Sequence, residues 1–171
     1  EGLSIERGKM VHISKMLGKN PQRNRLIANF VSGCYNKNRK GTVVFSDLIE
    51  NHLVPLKGFF VAKGIPEHDI GMYVGGLSEK QREIQAHKRV ILATYQMCSE
   101  ATNWPHWDTA VLGTPKANVK QIVGRVIRFM DDKLQPGVLD PVDNGPAFLQ
   151  GLAGKRMQDY RSINADILKY P

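Results

Sequence analysis

Apolar residues along this chain switch repeatedly between helical and strand spacing. From Arg23, residues Leu26, Ile27, Phe30, Val31 and Cys34 recur at helical intervals and stop in the polar run from Asn36 to Gly41. Thr42-Val-Val-Phe-Ser46 is a short β-branched run that predicts a buried strand. Asp47 stands where it can cap a helix carrying Leu48, Ile49, Leu53, Leu56 and Phe60, which Gly64 and Pro66 end. A second strand is predicted from Ile70 to Val74, closed by Gly75-Gly76, and Ser78 is placed to cap a short polar helix containing Arg82. Arg89 to Thr94 is continuously apolar in its middle, as a strand covered on both faces should be. An irregular stretch runs to Trp107, a fourth strand from Thr109 to Thr114, and Pro115 turns into a helix from Asn118 to Met130. A fifth strand is predicted from Val138 to Val142, and an amphipathic helix from Pro146.

Residues 1–20, punctuated by Gly8, Gly18 and Asn20-Pro21, predict no element and read as a lead-in or linker from a preceding domain. Residues 21–171 then form one domain. Alternating helices and strands make it α/β, with a mostly parallel sheet flanked by helices in three layers.

The helix from Asn118 to Met130 is the most informative stretch. Gln121, Arg125 and Arg128 fall within roughly 60° of one another at helical spacing, while Val119, Ile122, Val123, Val126, Ile127 and Met130 take the opposite side. Guanidinium forks match phosphate oxygens and stay charged at neutral pH, so the stripe suits an anion. Gly124 beside it gives up about 1 kcal/mol of helix propensity, which a close approach of ligand or backbone would justify. For an arginine pair in isolation, a solvated polar face is the plainer account.

Composition shifts that balance. Hydrophobic residues make up 42% and charged residues 23% of the 171, ordinary for a globular domain. The net charge of +8 and the pI near 9.6 favour a polyanionic partner. Cys34 and Cys98 form no Cys-x-x-Cys pair, which excludes a zinc ribbon or disulfide framework, leaves no metal ligand set, and fits a reducing, cytoplasmic compartment. No apolar run approaches the roughly 18 residues needed to span a membrane. The opening on Glu1 suggests a piece of a longer protein.

In a parallel sheet ligands bind beyond the carboxyl ends of the strands. Ser46-Asp47, Gly75-Gly76, Thr94-Tyr95 and Thr114-Pro115 each follow a predicted strand, and the last leads into the arginine helix. Ordinary turn chemistry explains any one of them; as a set they suggest a phosphate site.

These residues also carry a resemblance. Gln121-x-x-Gly124-Arg125-x-x-Arg128 resembles motif VI of superfamily 2 helicases and DNA translocases. Residues 89–94 with Glu100-Ala-Thr-Asn-Trp-Pro105 resemble motif V, and Val43-Val-Phe-Ser-Asp47 with His52 and Leu56 resembles motif IV. Tyr73-Val-Gly-Gly-Leu-Ser78 with Arg82 is similar to the segment between those two. Order and spacing agree from Arg23 to Asp143, and the match is to the second of the two RecA-like domains of a helicase core. Asp140-Pro-Val-Asp143 and the helix with Phe148 are similar to the end of that domain in phage and DNA-repair helicases, which would place a phage-encoded protein in its host's cytoplasm.

The resemblance implies roles. Arg125 and Arg128 would reach the γ-phosphate of an ATP held by an N-terminal RecA-like domain of the same protein, and Gln121 would help align it. Gly124, Glu100 and Asn103 would line the ATP side. Thr94, Ser46, Gly75, Gly76 and Arg82 would touch the nucleic-acid backbone, DNA rather than RNA, reading no sequence. Two positions depart from the motif: Ala101 and Asn103 stand where motif V has Gly and Asp. Trp104 and Trp107 could stack on a base, though such aromatics more often pack a loop.

No Gly-x-x-x-x-Gly-Lys-Ser/Thr loop and no strand ending in Asp-Glu occurs, so ATP and Mg²⁺ would bind only with the partner domain. Two functions of different class follow. One is the C-terminal motor domain of an ATP-dependent helicase or translocase; the other is a non-catalytic nucleic-acid-binding module on a degenerate helicase fold. An unrelated phosphate-binding enzyme lacks a candidate nucleophile or acid–base pair.

Overall fold

The computed structural model describes residues 2–100, 106–126 and 134–169. Five short strands make its centre: β1 (Thr42–Ser46), β2 (Ile70–Tyr73), β3 (Val90–Thr94), β4 (Thr109–Leu112) and β5 (Gly137–Leu139). They form one sheet in the order β2-β3-β1-β4-β5, and every pairing is parallel.

Side-chain alternation divides the core in two. Val44, Leu92, Val111 and Leu139 face one side, against Ile27, Ala28 and Val31 of α2 (Pro21–Asn36) and Leu56 and Phe60 of α3 (Val54–Ala62). Val43, Phe45, Ile91, Ala93, Ala110 and Leu112 face the other. There they meet residues of α4 (Glu79–Ala86), α5 (Tyr95–Glu100), α6 (Lys120–Val126) and α7 (Ala147–Ser162). The predicted three-layer α/β architecture is therefore the observed one. The interior strands β1, β3 and β4 read as apolar runs because both their faces are covered.

The structure departs from the sequence pattern in five places. Residues 1–20, given no element above, carry α1 (Gly2–Lys19). Its apolar spacing is blurred because Val11 and Met16 face solvent, while Ser14 and Gly18 are buried. Asn20-Pro21 is the start signal of α2: the Asn20 side chain accepts from the N–H groups of Gln22 and Arg23, and proline takes the first turn. Asp47 caps no helix; after it comes a five-residue π-helical turn, Ile49–Leu53, before α3. β5 ends at Leu139, short of the predicted Val142, because Pro141 has no N–H to add to the ladder. The stretch after β3 opens directly into α5. Ser78 does cap α4, in a reciprocal box with Gln81.

Candidate functional site

Register brings the predicted loops level. Ser46 pairs with Thr94, Tyr73 with Ala93, and Phe45 with Leu112, so the residues after β2 and β4 leave the sheet beside Ser46 and Thr94. The chain leaves β1 for the β2 edge and leaves β4 for β5 at the other edge. The crevice between β1 and β4 is thus the topological switch point, where open α/β sheets bind ligands.

That crevice is laced by hydrogen bonds. The Asp47 N–H donates to Thr114 Oγ1 at 3.0 Å, and the Gly113 N–H to the Phe45 carbonyl at 2.7 Å. A Cβ on Gly113 would stand 2.5 Å from that carbonyl oxygen, so the approach of the two strands needs glycine. Arg23 of α2 clamps the floor: its guanidinium donates to the Gly113 carbonyl and grips Asp143 with two bonds, of 2.9 and 3.2 Å.

Ser46 is fully buried. Its hydroxyl accepts the Leu48 N–H at 3.0 Å and lies 3.0 Å from His52 Nδ1. A side-chain contact from Ser46 to nucleic acid is therefore not available in this arrangement; the hydroxyl shapes the loop instead. His52 is itself fully buried, with Nε2 unpartnered. Burial, aided by the nearby Arg23 charge, pushes its pKa down to about 3, so the ring is neutral.

On α6, Ile122, Val123 and Val126 are buried, with Val119 just before it, while Gln121 is exposed and Gly124 and Arg125 half-buried. The predicted division of faces holds across the described part of this helix. Apart from its chain neighbours and its own helix backbone, no described residue lies within 4 Å of where a Gly124 Cβ would stand. Arg128 and Asn103 lie outside the described residues. Glu100 closes α5, and its side chain lies outside them too.

Of the backbone-contact candidates, Gly75 and Gly76 are exposed, Gly76 with φ +85° as a glycine turn allows, Thr94 ends β3 half-buried, and Arg82 is half-buried on α4. Trp107 is no stacking platform: it is fully buried, edge-on to Tyr73 at 6.0 Å, and its indole N–H donates to the Ala86 carbonyl. A groove of about 730 Å³ along β2, lined by residues such as Lys57, Met72 and Gln85, contains none of the candidate residues. Among the described residues no three His, Cys, Asp or Glu gather to hold a metal, and no helix is long and apolar enough to cross a membrane.

Several residues that build the site escaped the sequence reading. Asp159 of α7 accepts the Val119 and Lys120 N–H groups at 3.1 and 3.2 Å, satisfying the start of α6. Arg156 bonds Asp140 at 2.8 Å and the Lys116 carbonyl at 3.0 Å, and the Tyr160 hydroxyl donates to Asp140 at 3.0 Å. Burial, then Asp140, pushes the Tyr160 phenol above its usual range, keeping it a donor. The partners in these pairs stand 16 to 40 positions apart, or 120 for Arg23 and Asp143, so no local pattern announces them.

No protein-family model matches the chain. A putative ATP-dependent RNA helicase of Acanthamoeba polyphaga mimivirus is 32% identical over 102 residues, covering 60% of this chain and 20% of that protein. The chain thus spans about a fifth of that relative. Among solved structures, T4 UvsW superposes with a TM-score of 0.63 at 18% identity, covering 91% of this chain and 35% of that one. The C-terminal part of the Fun30 ATPase domain superposes with a TM-score of 0.59 at 6% identity, over 76% and 43%. The all-parallel sheet and these superpositions give the chain a RecA-like fold, and its sequence is similar to part of a putative ATP-dependent RNA helicase.

Proposed function

We propose that this chain is the C-terminal motor domain of an ATP-dependent helicase or translocase acting on DNA. The observation that carries the reading is α6, which leaves the switch-point crevice with Gln121, Gly124 and Arg125 away from its buried side. A guanidinium beside a glycine against which no other described element packs fits a phosphate group. Arg125 and Arg128 reach the γ-phosphate of an ATP whose Mg²⁺ and remaining phosphates belong to the N-terminal RecA-like domain. There they stabilise charge that develops during phosphoryl transfer, an effect of order ~10³ to 10⁵ in rate in arginine-finger systems. Gln121 aligns the same phosphate, and Gly124, Glu100 and Asn103 line that side.

Thr94, Gly75, Gly76 and Arg82 hold the nucleic-acid backbone, with Ser46 setting the shape of its loop through Leu48 and His52. DNA is proposed from the likeness of residues 140–143 and α7 to the end of phage and repair helicase domains; the mimivirus relative is named for RNA. In the parent protein, Arg125→Ala should abolish ATP hydrolysis, a loss of at least about 10³-fold, while nucleic-acid affinity stays close to wild type. Wild-type turnover would sink the motor assignment and leave the non-catalytic module.

A further inference from the structure

The connection from β4 to α6 is held from one side by α7. Arg156 donates to the Lys116 carbonyl, and the Asp159 carboxylate accepts from the N–H groups of Val119 and Lys120. α7 is itself fixed by the buried ion pair of Arg156 with Asp140, where Tyr160 also bonds. Gly124 lowers the intrinsic helix stability of α6 relative to alanine, so the helix leans on its tertiary contacts. Apolar contacts of Ile122, Val123 and Val126 choose which face is buried, but such packing tolerates sliding and rotation. Two charge-assisted bonds to one carboxylate do not, because they are directional and sit where the helix dipole favours a negative group.

We propose that Asp159 is a positioning residue for the nucleotide site: by capping α6 it fixes how far Gln121 and Arg125 reach. This rests on the reading of α6 as the phosphate-facing helix. Asp159 touches no nucleotide and acts through the helix it holds.

The test compares Asp159→Ala, Asp159→Asn, Leu149→Ala and Arg125→Ala in the parent protein, by amide hydrogen exchange and by ATPase kinetics. Asp159→Ala should speed exchange across Lys120–Val126 and lower kcat about 10- to 100-fold, the scale of a misplacement near 1 Å. The KM for ATP should stay within about twofold, because the lost interaction belongs to the transition state. Asp159→Asn keeps an acceptor oxygen without the charge and should fall between. Leu149→Ala, which weakens α7 from its buried side, should lower the melting temperature and leave kcat unchanged.

Wild-type exchange or wild-type kcat in Asp159→Ala overturns the proposal, and so does an equal kcat loss in Leu149→Ala. If Asp159→Ala does not fold, Asp159→Asn decides: intermediate exchange and kcat support the proposal, and wild-type values overturn it. Arg125→Ala separates the two levels. Wild-type turnover there removes the motor reading, whereas its inactivation beside an unaffected Asp159→Ala removes only the positioning role.

Discussion

His52 is the residue through which acid should reach the fold. The unfolded chain takes up its imidazole proton near pH 6.5, whereas the buried ring resists until about pH 3. Between those values the unfolded state holds more protons, so stability falls as pH falls, by up to about 1.4 kcal/mol per pH unit from this group. Above pH 6.5 the ring is neutral in both states and adds no slope. Urea unfolding at pH 7, 5.5 and 4 should therefore show a steeper loss for wild type than for His52→Gln. Parallel profiles would mean the ring is reached by solvent. His52 stands in the motif IV segment of the sequence, but its burial against Ser46 and the π-helical turn could be seen only once that turn was built. Trp107 makes the same point in reverse. An aromatic beside a predicted rim is open to a stacking role until the fold puts it between Phe45 and Tyr73.

At the scale of elements, the floor of the crevice depends on α2 gripping the segment after β5. Arg23 and Asp143 have side-chain exposures of 7% and 16%, so their pair is shielded and loses little to solvent screening. Arg23→Ala should cost about 3 kcal/mol, because it strands both a carboxylate and the Gly113 carbonyl. Asp143→Ala should cost a similar amount. The double variant should cost clearly less than the sum, giving a coupling energy of about 2 kcal/mol. Additive losses in denaturant melts would show that the two residues act separately. Helices α2, α3, α6 and α7 were legible from apolar spacing, and α4 from its Ser78 cap. α1 was not, since it meets the π-helical turn through Gly18, whose carbonyl accepts from the Asn24 side chain of α2, rather than through an apolar stripe.

For the whole molecule, the proposed contact with a phosphate backbone rests on a net charge of +8 and the exposed Gly75-Gly76 turn. Binding of single-stranded DNA by the parent protein should weaken steeply between 50 and 200 mM salt, about 10-fold or more if several phosphates are neutralised. It should vary little with base sequence, and Arg82→Ala should flatten the salt slope. Fluorescence anisotropy with DNA and RNA strands of one sequence measures both points. A strong sequence preference or a flat salt response would contradict backbone recognition, and tighter binding of the RNA strand would reverse the proposed substrate.

What the sequence alone determined follows from short-range physics. Periodicity made the strands and most helices, alternation made the sheet parallel, and the spacing of Gln121, Gly124 and Arg125 put them on one side of a helix. These depend only on residues a few positions apart. The tertiary structure decided which polar groups are spent internally and which face outward. Ser46 was spent on Leu48 and His52, Arg23 on Asp143, and Asp159 on the start of α6. Each of those pairings but the first depends on how the chain folds back on itself, up to 120 positions away.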